Sequence, residues 1–239
     1  MATTPLHTHI SQQFDRELED IRAKVLAMGG VVEDQLAKAL ESLANNDIET
    51  AELISTNDYK VNAFEVEIDE ECMQILARRQ PAAGDLRLVL AVTRIISDLE
   101  RIGDEAEKIA RFVLKHQDSD SPTSYLVGIT GMGARVRTMV HSALDAFARL
   151  DVQAALEVAK QDQEIDELYT AVLRHLITYM IEDPRSISGV LDAVFAARAI
   201  ERMGDHANNV CESIIYMVMG KDVRHTSLED VERELEGDD

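Results

Sequence analysis

A five-residue motif that occurs twice constrains this chain more than any other feature. Its two copies are Glu100–Asp104 (ERIGD) and Glu201–Asp205 (ERMGD), and they are offset by 101 residues. Residues four apart lie on the same face of a helix, so each copy presents a pair of carboxylates from one helix face. The sequence therefore predicts one site with oxygen ligands in each half of the chain.

The repeat extends well beyond the motif. Met28 and Gly29 match Met132 and Gly133 at an offset of 104 residues. The same offset relates further pairs, namely Val32 and Val136, Ala39 and Ala143, Leu40 and Leu144, Asp47 and Asp151, and Asp58 and Asp162. The change from 104 to 101 places a length difference near residues 80–90, and such differences usually fall in a connection between helices. Two copies of one helical unit are the simplest interpretation.

Apolar stripes at helical spacing predict three helices in each half. Asp47, Asp85 and Asp151 stand where N-caps are expected, and Gly220 follows the final helix as a C-terminal cap. Pro81 and Pro184 interrupt the pattern in equivalent connections. The predicted helices cover about residues 11–43, 48–79, 85–116, 125–149, 152–181 and 186–219.

The predicted fold is all-α, with two tandem antiparallel three-helix bundles related by the internal repeat. The polar, breaker-rich stretch between the two units is typical of a linker. The expected organisation is an N-terminal tail at 1–10, a first bundle at 11–116, a linker at 117–124, a second bundle at 125–220 and an acidic C-terminal tail at 221–239.

The charge and composition exclude several classes of function. The net charge is -21, from 45 acidic and 24 basic residues, whereas binding a phosphate backbone needs a basic face, so nucleic acid is not an expected partner. No apolar run approaches the length of a membrane span, and the first ten residues do not resemble a signal peptide. Cys72 and Cys211 have no metal or redox spacing and are typical of core thiols in a reduced cytoplasmic protein.

A metal ion needs more oxygen ligands than the two carboxylates of one motif supply, and the neighbouring predicted helix offers further ones. In the first half, Asp58 and Asn62 lie four apart on the second helix, and Asp162 and Asp166 occupy the matching positions in the second half. Helical bundles build carboxylate metal sites from facing helices in this manner. Oxygen ligands without thiolate favour Fe, Mn, Mg or Ca, with Zn as a further candidate. The proposed metal ligands are thus Asp58, Asn62, Glu100, Asp104, Asp162, Asp166, Glu201 and Asp205.

Other interpretations of these residues stay open. Carboxylates spaced four apart also arise by chance on a solvated face of an acidic protein, as in a structural helical module or a phasin-like protein without metal. A di-iron enzyme would carry Glu-x-x-His on facing helices, and no histidine here has a glutamate three residues before it, so no enzymatic activity is expected. His206, next to Asp205, is displaced by about 100° around the helix and is interpreted as a surface or interface histidine.

The segments ERIGDEAEKIA and ERMGDHANNV resemble the signature segments of the PhoU family of phosphate-signalling regulators. The resemblance covers about residues 10–220. It implies a cytoplasmic, homodimeric protein that binds metal at the repeated motif. It also implies a negative regulator of phosphate uptake and of the phosphate-starvation regulon, acting with the ATPase of the Pst transporter and a PhoR-type sensor kinase. Asn62 departs from the acidic pattern, so the first site is expected to bind metal less tightly.

Overall fold

The computed structural model describes residues 12–57, 59–117, 125–223 and 232–233. The predicted N-terminal tail, Asp58, and most of the linker and of the acidic C-terminal tail lie outside these residues. Within them the chain is helical, with α1 at Gln12–Asn45, α2 at Ile48–Asn57, α3 at Tyr59–Arg79, α4 at Ala83–Lys115, α5 at Leu126–Arg149, α6 at Val152–Ala159, α7 at Asp162–Glu182 and α8 at Ile187–Met219. A 3-10 turn at Pro184–Ser186 joins α7 to α8.

The predicted all-α fold is confirmed, with one correction to the helix pattern in the second half. The helix predicted at 48–79 is described as α2 and α3, and Asp58 between them lies outside the described residues. The helix predicted at 152–181 is interrupted at Lys160 and Gln161, which separate α6 from α7. Neither residue is a glycine or a proline, so the sequence carries no breaker signal at this point.

Two of the three predicted aspartate caps are confirmed. Asp47 Oδ1 accepts the N–H of Thr50 at 3.1 Å, and Asp151 Oδ1 accepts the N–H of Ala154 at 3.0 Å. The predicted cap at Asp85 is wrong, because α4 begins earlier, after Ala82, and places Asp85 in its first turn. Gly220 ends α8 in the left-handed conformation, with φ of 75°, as its position predicts.

The two helical units share their interior. The most extensive packing is between α4 and α8, one from each unit, and α1 also packs against α5. The buried apolar side chains of both units form one continuous cluster. The motif helices α4 and α8 are therefore the centre of the molecule, and each faces its own unit's second-helix segment, α3 or α7, on its other side.

A reciprocal pair of contacts relates α1 and α5. A Cβ at Gly29 would lie 2.5 Å from Leu144 Cδ2, and a Cβ at Gly133 would lie 2.4 Å from Leu40 Cδ2. Both glycines and both leucines are related by the 104-residue offset of the repeat. The glycine of each unit contacts the equivalent leucine of the other unit. Such reciprocal contacts are those of a two-fold symmetric arrangement.

This pair gives a prediction with built-in controls. We expect Gly29→Ala and Gly133→Ala each to lower the free energy of unfolding by about 1–3 kcal/mol, because the added methyl displaces a buried leucine. A Cβ at Gly30 or Gly131 meets no atom within 4 Å. We expect Gly30→Ala and Gly131→Ala to raise the free energy of unfolding by about 0.5–1 kcal/mol through helix propensity. Urea unfolding of the four variants checks both signs, and equal effects at all four positions would contradict the reciprocal packing.

Candidate metal centre

Three carboxylates of the second half converge between α7 and α8. Asp166 of α7 and Glu201 and Asp205 of α8 each offer an oxygen, and these oxygens all lie within 4.8 Å of one another. The short 3-10 connection makes α7 and α8 antiparallel neighbours. Gly204 allows the close approach, since a Cβ there would lie 3.3 Å from Ile165 Cγ2. Gly204 of the motif therefore admits the side chain of Ile165 from α7.

The electrostatics of this group favour a cation. Glu201 is only 5% exposed, and burial together with the charge of Asp205 raises its pKa to about 7. Burial and then the charges of Asp205 and Asp166 raise the pKa of Asp162 to about 6. Burial also raises the pKa of Asp205, against the opposing effect of Arg198. These shifts show several acids held together at a cost that a bound cation would offset.

Only one of the two carboxylate oxygens of Glu201 has a partner among the described residues. Its Oε1 pairs with Arg198 one turn earlier on α8, while its Oε2 is buried and has no hydrogen-bond partner among the described residues. A buried carboxylate oxygen without a donor is costly, and a metal ion would satisfy it directly. The donor set is all oxygen, which suits a hard cation. The residues present therefore fit a metal.

Asp162 stands beside the three-carboxylate group rather than within it. It lies in the first turn of α7, four residues before Asp166. The charges of both Asp205 and Glu212 act on its pKa, which places it on the same acidic surface. Glu212 was not predicted from sequence, although its position seven residues after Asp205 puts both on one face of α8.

The predicted ligands of the first half are only partly described. Glu100 and Asp104 are half-buried on α4, Asn62 is exposed on α3, and Asp58 lies outside the described residues. The described part of this half contains no group of three His, Cys, Asp or Glu with ligand atoms as close as those of the second half. Among the described residues, the predicted ligands Asp166, Glu201 and Asp205 of the second half come together. The described acids of the first-half prediction are only two, Glu100 and Asp104.

Glu65 is a further acid at the first-half motif that sequence comparison missed. It is half-buried on α3, and its pKa is raised by burial first and then by Asp69 and Asp104, while Arg101 lowers it. Its spacing of three from Asn62 would have placed it on the predicted ligand face. The matching residue of the second half is Tyr169, whose ring lies 5.7 Å from the Arg198 guanidinium carbon.

Polar contacts connect the two motif helices across the centre of the molecule. Nδ1 of His206 lies 2.9 Å from Oδ1 of Asp98, which also accepts from Nδ2 of Asn209 at 3.1 Å. Arg202, inside the second motif, pairs with Glu105, directly after the first, at 2.6 Å. His206 is therefore a buried residue of the interface between α4 and α8, and not a surface histidine.

Comparisons with known proteins agree with this architecture. The family model named PhoU domain matches twice, at residues 25–113 and 129–214. The Phosphate-specific transport system accessory protein PhoU homolog of Pseudomonas putida is 51% identical over 230 residues, covering 96% of this chain and 90% of that protein. The Phosphate-specific transport system accessory protein PhoU of Escherichia coli strain K12 is 44% identical over 239 residues, covering 100% and 99%.

Two solved structures share the fold. The crystal structure of PhoU from Pseudomonas aeruginosa has a TM-score of 0.85 at 48% identity and covers 87% of this chain and 100% of that one. The phosphate transport system regulatory protein PhoU from Streptococcus pneumoniae has a TM-score of 0.81 at 32% identity, covering 88% and 99%. The duplicated domain match, the identity along nearly the whole chain and the shared fold together show that this chain belongs to the PhoU family.

Proposed function

We propose that this protein is an accessory regulator of a phosphate-specific transport system, and a negative regulator of phosphate uptake and of the phosphate-starvation regulon. The observation that carries the proposal is the similarity along nearly the whole chain to proteins named as accessory to that system. The function rests on binding rather than on catalysis, so we propose no enzymatic activity.

Metal binding is the second part of the proposal. The ligands in the second half are Asp166, Glu201 and Asp205, with Asp162 beside them. In the first half they are Glu100 and Asp104, with Asn62 and Asp58 as predicted and Glu65 as an added candidate. The close carboxylates and the unpartnered oxygen of Glu201 support a tighter second site. The cation is Fe, Mn, Mg or Zn by the preferences of oxygen ligands.

The partners are the third part. We propose an adaptor that acts in the cytoplasm as a homodimer, between the ATPase subunit of the Pst transporter and a PhoR-type sensor kinase. The net charge of -21 supports a route through proteins, since direct repression at a promoter would need a basic surface for DNA. Among the described residues no helix is both long and apolar enough to cross a membrane.

A deletion strain tests the proposed regulation. Grown in ample phosphate, cells without this protein are expected to express the phosphate-starvation regulon at the level of starved cells, because the negative signal is lost. Phosphatase activity and phosphate uptake are the measurements, and a plasmid copy of the wild-type gene is the control that should restore repression. Normal repression in the deletion strain would overturn the proposal.

A further inference from the structure

A basic groove lies between the C-terminal half of α4 and the N-terminal half of α8. Its volume is about 310 Å³. The described residues that line it include five basic side chains and only two acidic ones, Glu105 and Asp192. The whole chain has 24 basic residues against 45 acidic ones, so the lining of this groove reverses the overall balance of charge. The basic residues are Lys108, Arg111, Lys115, Arg198 and Arg202.

The ion pairs within the groove leave it positive. Glu105 pairs with both Lys108 and Arg202. Asp192 pairs with Lys115 and lies 3.2 Å from His116 Nε2. Arg198 pairs with Glu201 of the candidate metal centre. Arg111 pairs with Glu107 of its own helix while its side chain is 67% exposed. The five basic side chains therefore share four carboxylates, and the small excess of positive charge favours a negatively charged occupant.

An apolar stripe continues this groove along α8. Ile187, Leu191 and Phe195 are 47%, 49% and 66% exposed and are spaced four apart, so they share one helix face. The stripe runs on at helical spacing into Arg198 and Arg202. Phe195 belongs to both the stripe and the wall of the groove. A small inorganic anion would leave these apolar side chains in water, whereas an amphipathic protein segment would cover them.

We propose that this groove, with its apolar stripe, is the docking surface for an acidic amphipathic helix of a protein partner. The stretch from Ile187 to Arg202 is about 22 Å long at 1.5 Å per residue, which fits a partner helix of about fifteen residues. That helix carries two or three apolar residues over Leu191 and Phe195, and acidic residues over the cations of α4 and α8. A second copy of this chain is a poorer occupant, since a two-fold contact would bring a second set of the same cations into the interface without the acids to match them.

The proposal rests on the proposed adaptor function, because that function supplies the partners to be tested. Two probes are the purified ATPase subunit of the transporter and the purified cytoplasmic region of the sensor kinase, from the same organism. Full-length wild-type protein is compared with Leu191→Ser/Phe195→Ser and with Lys108→Glu/Arg111→Glu. None of these four residues is a proposed metal ligand.

Binding to at least one probe is expected to weaken at least tenfold in each groove variant. The matched controls are Val127→Ser, which is 71% exposed, and Arg135→Glu, whose side chain is 65% exposed. Both lie on α5, and we expect their affinities to stay within twofold of wild type. Thermal melts and metal content of the groove variants are measured as well, and values equal to those of wild type are expected because the variants remain folded.

The outcomes separate the two ideas. If wild type binds neither probe, the proposed partnership fails and this inference fails with it. If wild type binds and the groove variants bind equally well, the partnership stands and the inference alone is overturned. A photo-crosslinking residue in place of Phe195 should attach to an acidic helical segment of the partner, whereas attachment to a second copy or to residues 224–239 of this chain would overturn it.

Discussion

Protein carrying Glu201→Gln and Asp205→Asn is expected to bind metal at the second-half centre at least about 100-fold more weakly than wild type. The two substitutions keep side-chain shape but remove two of the three converging negative charges, and ligand charge is a main determinant of affinity for hard cations. The fold should persist, because the metal-free carboxylates repel one another and their loss relieves that repulsion.

Elemental analysis and calorimetric titration with Mn²⁺ or Mg²⁺ measure the change. Glu157→Gln/Glu167→Gln is a matched control, since both residues are exposed acids of the second half, on α6 and α7, and lie outside the carboxylate group. The control should bind metal as wild type does. Wild-type protein that holds no more metal than the Glu201/Asp205 variant would end the case for this centre.

Stability of the metal-free protein is expected to fall as pH rises from about 4.5 to about 7. The ordinary pKa of Glu201 is 4.5, and in the folded protein it is raised to about 7. Between these values the folded state holds a proton that the unfolded state has released, so the free energy of unfolding decreases with pH. Below 4.5 the carboxyl is protonated in both states, and above 7 the full destabilisation is present.

The size of this effect is about 3 kcal/mol, from about 1.4 kcal/mol for each unit of the pKa difference between 4.5 and about 7. We expect Glu201→Gln to raise the metal-free stability by that amount at pH 8 and to change it little at pH 4.5. Urea unfolding in the presence of a chelator measures the two slopes, with Glu157→Gln as the control. Parallel pH profiles for wild type and Glu201→Gln would contradict the assignment.

The sequence predicted the helices well because their apolar residues recur at strict helical spacing and are buried on one side of each helix. The stripe Ile21, Val25, Met28, Val32 and Leu36 is fully or almost fully buried, as the spacing requires. The break at Lys160 and Gln161 was missed because neither residue opposes a helix by itself. Its location depends on how α6 and α7 separately pack on α8, and a local pattern does not contain that information.

The ligands of the candidate metal centre could be predicted from sequence only where the two halves carry similar residues at matching positions. Matching positions identified Asp166, Glu201 and Asp205, which the structure brings together. The same comparison missed Glu65, because its counterpart is Tyr169 and matched positions show only polar residues that both halves carry. The basic groove was also invisible in sequence, since its cations come from helices that are distant along the chain and are outnumbered by acids everywhere else.

The reciprocal packing of Gly29 on Leu144 and Gly133 on Leu40 has an evolutionary consequence. An interface in which each side presents the same residues is what two identical chains would form, so the molecule has the geometry of an ancestral dimer whose subunits became fused. Before fusion, every substitution would have appeared on both sides of the axis at once. After it, each side could change alone, and Glu105 and His206 now occupy matching places with different partners.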